Sequence, residues 1–166
     1  MGHIHKILVP MDGSPPSMAA LWEAVALAED LQAAIDVLHV RAPDRFEVGS
    51  TTATAQSAAE QADRTMDEAI DSAKARLGER LSRRTDSGDP IRTILDVASS
   101  GDFDLIVMGT HGRVGRLHAL VGSVAEAVVR TSVCPVLTVR RPDGAHESFS
   151  ERIHGRQAIG ERGRSP

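Results

Sequence analysis

One glycine-spaced stretch limits what this chain can fold into more than any other: Gly109-Thr110-His111-Gly112, nine residues, then Gly122-Ser123. An apolar run, Asp104-Leu105-Ile106-Val107-Met108, leads directly into it, and a helical pattern from Ser123 to Arg130 follows. A strand entering a glycine-rich loop and then a helix has the physical make-up of a phosphate site. Glycine lets backbone approach an anion with no side chain in the way. The helix start adds unpaired N–H groups and the positive end of the helix dipole.

The elements before and after this stretch alternate. Ile4 to Val9 reads as a buried strand ending at Pro10-Met11-Asp12-Gly13, and Ser14-Pro15 then signals a helix start, serine as cap and proline in the first turn. Leu21, Val25 and Ala28, with Leu27 and Leu31, give that helix an apolar face. Ala34 to Val40 reads as a second strand. Residues 42–58, with Pro43, Gly49 and a Ser/Thr/Ala run, read as a loop, and a polar helix is expected over Ala59 to Leu77, stopping at Gly78. Residues 80–86 suit either the tail of that helix or a polar edge strand, and charge favours the edge strand. Asp89-Pro90 repeats the cap-then-proline signal and opens a helix through Ile91, Ile94, Leu95 and Ala98. A last strand runs from Pro135 to Val139. Such alternation implies an α/β layer structure with a mainly parallel sheet. The domain is expected to end near residue 141, leaving 142–166 as a polar, flexible tail.

Composition narrows the function classes. With 41% hydrophobic and 25% charged residues, the chain suits a globular domain. A net charge of -4 gives no reason to expect nucleic acid, and with aromatics at 2% stacking platforms for single strands are almost unavailable. The single cysteine, Cys134, excludes an internal disulfide and a multi-cysteine metal site. No apolar run approaches the roughly 18 residues that would suggest a membrane span, and the start of the chain lacks a secretory pattern, so a cytoplasmic location is expected. Histidines 3, 5, 39, 111 and 118 do not show the paired spacing of a zinc helix.

In this order of elements the chain resembles a universal stress protein over residues 4–140. Gly109, Gly112, Gly122 and Ser123 match the family's pattern of glycine, two residues, glycine, nine residues, glycine, then serine or threonine. Val9 to Ser14, Leu38-His39-Val40, Asp104 to Gly109 and Cys134 to Val139 resemble its strand ends. The resemblance implies a single open, Rossmann-like five-stranded sheet in the order 3-2-1-4-5, with helices on both faces. Ligands of such sheets bind beyond the carboxyl ends of the strands where the order reverses. Here that crevice would lie between Pro10-Met11-Asp12 and Met108-Gly109-Thr110. It also implies ATP as ligand, since members keeping the full glycine pattern bind it, with Mg²⁺ riding on the phosphates.

Residue roles follow, each beside a plainer alternative. Gly109, Gly112 and Gly122 would let amides wrap the phosphates, or would simply serve tight turns. Ser123 to Glu126 reads as a capping box, which leaves other first-turn amides, Val124 included, open to phosphate. Asp12 is placed to touch the base or a metal-bridged group, or to cap the turn at Gly13. By the resemblance, Val40 would contact adenine through its backbone and Pro10 would line the pocket. Arg113 could pair with phosphate oxygens, and His111 could approach them or be solvated. Cys134 reads as a small hydrophobe. Val133, Pro135, Val136, Leu137, Thr138 and Val139 form an uncharged edge, a hazard unless paired; antiparallel pairing with a second copy makes a closed dimer. The leading function is thus an ATP-binding, homodimeric regulatory module. A slow ATPase lacks support from any P-loop lysine pattern, and an ATP-independent interaction module is the third reading.

Overall fold

The computed structural model describes residues 3–41, 53–110 and 122–140. Its elements run β1 (Lys6–Met11), α1 (Pro15–Leu31), β2 (Ala34–Arg41), α2 (Ala53–Leu77), a 3₁₀ turn (Gly78–Arg80), β3 (Leu81–Ser87), α3 (Pro90–Ser100), β4 (Leu105–Gly109), α4 (Ser123–Thr131) and β5 (Val136–Val139). All five strands are parallel, in the order β3-β2-β1-β4-β5. The order reverses between β1 and β4, as expected.

Two apolar layers flank the sheet. Ile7, Val9, Ile35, Val37 and Val107 pack with α1 and α2 on one face; Leu8, Leu38, Ile106 and Met108 pack with α3 and α4 on the other. Alternate residues of each strand thus face opposite layers, and strands covered on both sides read as continuous apolar runs. The helix starts at Ser14 and Asp89 form as read: Ser14 Oγ accepts from the Ser17 amide at 3.4 Å and Asp89 Oδ1 from the Arg92 amide at 2.9 Å.

Two local readings change. α2 begins at Ala53, so residues 53–58 are helical rather than loop, and only 42–52 lie outside the described residues. The Ser/Thr/Ala run has no apolar periodicity to announce a helix, yet its alanines carry the highest helix propensity. The edge-strand reading of residues 80–86 holds for Leu81–Ser87, β3, paired with β2 from Ile35↔Leu81 to Arg41↔Ser87, while Arg80 closes the 3₁₀ turn. β1 lies two residues further along than its apolar run suggests, and so carries Pro10 and Met11 inside the sheet.

Pro10 has a consequence at the reversal. The His5 carbonyl accepts from Ala34 beside β2, and the Lys6 carbonyl accepts from Asp104 beside β4. Backbone groups alternate along a strand, so those of Leu8 and Pro10 face β4. Pro10 has no N–H to donate, which interrupts a ladder. The β1–β4 pairing comprises Ile7↔Leu105 and Leu8↔Ile106, while β1 stays paired with β2 to its last residue, Met11↔His39.

At the opposite end Asp104 joins the same two strands. Its carboxylate accepts from the amides of His5 at 2.8 Å and Lys6 at 3.0 Å. Those bonds, the His5 amide foremost, hold the Asp104 pKa below its ordinary value. A carboxyl group depressed in the folded state stabilises above its unfolded pKa, and that stability is lost as pH falls through the folded value. Asp104→Ala should therefore lower stability near neutral pH, by about 0.5–1 kcal/mol once solvent screening of the carboxylate is allowed for. In paired thermal melts the gap from wild type should close below about pH 4.

Candidate functional site

The crevice at the reversal is bordered by the ends of β1 and β4 and by the starts of two helices. The β1 end turns sharply: Asp12 Oδ1 accepts from the Ser14 amide at 3.0 Å and the Ser14 hydroxyl at 2.6 Å. Gly13 stands at φ 75°, where a side chain would be strained. Asp12 thus performs the turn-capping role, which commits one carboxylate oxygen to the chain itself.

The two helix starts differ in what they offer an anion. In α1, Pro15 and Pro16 carry no N–H, the Ser17 amide donates to Ser14 Oγ, and the Met18 amide donates to the Ser14 carbonyl at 3.0 Å. Every first-turn donor of α1 is absent or used. α4 has no side-chain cap: Gly122 occupies the cap position at φ -72°, ψ 155°, and Ser123 is the first helical residue. The expected capping box is therefore not formed. With Gly122 as cap, Glu126 falls one position too late to reach back; it lies 3.9 Å from Arg130, four residues on, instead. Among the described residues no carboxylate or hydroxyl caps the Ser123 and Val124 amides at the α4 start, the condition an anion site needs.

The start of α4 is tied to the sheet through backbone. The Gly122 amide donates to the Thr110 carbonyl at 2.6 Å, and the Thr110 amide donates to the Val139 carbonyl at 3.0 Å. The start of α4 is therefore brought to the tip of β4, next to the tip of β5. His111, Gly112 and Arg113, on which the phosphate reading also drew, lie outside the described residues.

Gly109 also has a packing role. It is the last residue of β4 and buried, and a Cβ there would stand 2.7 Å from the Pro16 carbonyl carbon and 2.8 Å from the Ser17 nitrogen. The first turn of α1 rests directly on it. Its lack of a side chain serves the packing of helix on strand, a tertiary cause with no local signal.

Val40 sits at the tip of β2, one residue beyond the last β1 partner. The Arg41 carbonyl accepts from Gly88 on the β3 side, so by alternation the peptide groups of Val40 face β1. Its side chain packs on the α3–α4 layer with Met108. Pro10, Met11, Met108 and Thr110 are all buried around the crevice. The structure thus brings together Pro10, Met11, Asp12, Val40, Met108, Gly109, Thr110, Gly122, Ser123 and Val124 along one edge of the sheet. Sequence reasoning gave His39 no part here, yet its Nδ1 lies 2.9 Å from the Met11 carbonyl oxygen. Only the β1–β2 register exposes that contact. Among the described residues no group of three or more His, Cys, Asp or Glu side chains could hold a metal ion, and no helix is long and apolar enough to cross a membrane.

The outer strands differ in protection. β3 carries Arg83 and Arg84, paired with Asp67 at 2.7 Å and Asp86 at 3.0 Å. β5 carries no charge; Val136, Leu137 and Val139 are half-buried, Thr138 and Pro135 exposed, and Val133 is 75% exposed. Cys134 is half-buried beside Ser132, whose hydroxyl accepts from its amide at 3.2 Å.

Comparison with known proteins places this arrangement. The model of the "Universal stress protein family" matches residues 3–140. The chain is 31% identical to universal stress protein MJ0531 of Methanocaldococcus jannaschii over 140 residues, covering 82% of each chain. Among solved structures, universal stress protein UspA from Lactobacillus plantarum superposes with a TM-score of 0.64 at 30% identity, over 84% of this chain and 100% of that one. A universal stress protein solved in complex with cAMP superposes with a TM-score of 0.61 at 25% identity, over 84% of this chain and 98% of that one.

Proposed function

The chain belongs to the universal stress protein family, and from that premise we propose that it is a nucleotide-dependent regulatory module that binds ATP in the crevice between the ends of β1 and β4. The observation that carries this reading is the contrast between the helix starts: α1 has no donor left, whereas α4 opens onto the crevice without a side-chain cap. Phosphates would lie on the amides of Ser123 and Val124, with Gly112 and Arg113 of the loop beside them. Adenine would lie against the Val40 backbone and Pro10. Mg²⁺ would come with the phosphates. A structural neighbour, a universal stress protein solved in complex with cAMP, supports an adenine nucleotide.

The dipole of α4 contributes only about 0.3–1 kcal/mol to an anion, against roughly 8 kcal/mol for a micromolar complex. Base burial and hydrogen bonding must supply most of the affinity, so triphosphate alone should bind weakly. Thermal unfolding with Mg·ATP at about a hundred times Kd should show roughly 2.7 kcal/mol of added stability, a shift of several degrees. Absence of any shift with ATP or cAMP would remove the nucleotide reading.

The same module is proposed to be a homodimer joined through β5. Its uncharged edge has the exposed Val129 and Val133 near it, whereas the opposite edge is guarded by ion pairs. Thr138→Lys should shift the sedimentation coefficient from dimer to monomer without altering the melting profile of the monomeric fold. A monomeric wild-type protein at micromolar concentration would refute the arrangement.

A further inference from the structure

We propose that His39 is a positioning residue that sets the β1 border of the crevice, an inference that rests on the nucleotide reading above for its functional consequence. Three observations converge on it. The backbone groups of Pro10 face β4, where the missing N–H cannot tie the β1 tip to its neighbour across the crevice. Pro10 thus offers β4 only its carbonyl, whereas the paired register on the β2 side runs further, to Met11↔His39. At that last pair the His39 ring reaches the strand end itself, Nδ1 to the Met11 carbonyl oxygen at 2.9 Å.

A carbonyl oxygen only accepts, so this contact requires His39 to carry its proton on Nδ1. The residue after that carbonyl is Asp12, whose carboxylate organises the turn into α1. One imidazole N–H thus fixes the last peptide of β1 immediately before the turn that lines the crevice. Pro10 thins the ladder toward β4 on one side, and His39 adds a hold on the other.

The test begins with the unaltered protein. Long-range ¹H–¹⁵N correlation should find the Nδ1–H tautomer of His39 at neutral pH; an Nε2–H tautomer would overturn the proposal outright. Two variants then separate tethering from packing. Leucine removes the donor, while asparagine carries an amide nitrogen on the same γ-carbon position as Nδ1. His39→Leu should speed hydrogen exchange of the Asp12 to Ser14 amides roughly tenfold and weaken Mg·ATP binding by a similar factor. His39→Asn should restore both to within about threefold. Unchanged exchange in His39→Leu, or asparagine behaving as leucine does, would overturn the role. If wild type binds no Mg·ATP, the nucleotide reading fails by itself, and the tautomer and exchange results still decide whether His39 holds the strand end.

Discussion

Gly109→Val is expected to lower the melting temperature by about 6–12 °C, the largest effect of any single change considered at the crevice. The added Cβ would lie 2.7 Å from the Pro16 carbonyl carbon, 2.8 Å from the Ser17 nitrogen and 2.9 Å from Pro16 Cβ. Two of these are backbone atoms in a turn stiffened by two prolines, so the neighbour cannot rotate away. Relief requires α1 to lift from β4, opening the layer that holds Leu21, Val25 and Val107. Overpacking of this kind costs about 3 kcal/mol at the upper end of its usual range. Differential scanning calorimetry of the ligand-free protein would check it. A melting point within about 2 °C of wild type would show that the helix start yields, against the packing argument.

Gly122→Asp is expected to do the reverse: leave the ligand-free protein intact and weaken Mg·ATP binding at least roughly a hundredfold. Gly122 has φ -72° and ψ 155°, which any residue can adopt, and it already occupies the cap of α4. Aspartate is a preferred cap, differing from glycine by only a few tenths of a kcal/mol in stability. Its carboxylate would fold onto the amides proposed for phosphate and oppose the incoming charge. Two unit charges about 4 Å apart near a protein surface repel by about 4 kcal/mol. Isothermal titration against wild type, with melts of both ligand-free proteins, gives the comparison. Retained affinity in a well-folded Gly122→Asp protein would move the phosphates away from α4. Gly109 could not serve as this control, because its substitution disturbs the fold and the site together.

The contrast between these glycines shows where the sequence was readable and where it was not. The caps at Ser14-Pro15 and Asp89-Pro90 are complete within a few residues, and both formed as read. The polar edge strand β3 followed from charge and the Gly78 turn, where φ is +60°. Gly109 resembled a loop glycine because the atoms that demand it, those of Pro16 and Ser17, lie about ninety residues earlier in the chain. The α4 cap depended on whether Gly122 or Ser123 was the last extended residue; a one-residue shift dismantled the capping box. His39 looked like an ordinary strand residue, since its partner is a backbone oxygen set only by strand register. Local chemistry was legible, and contacts created by the sheet were not.

The single backbone bond from Gly122 to Thr110 also governs how this fold tolerates change. It pins the two ends of whatever sequence joins β4 to α4, so the length of that connection is nearly decoupled from the sheet. Loop-closure cost grows so slowly that doubling a connection between pinned ends adds only about 0.6 kcal/mol. Sequence could therefore be exchanged as a cassette between Thr110 and Gly122, with the sheet serving as an unchanged socket.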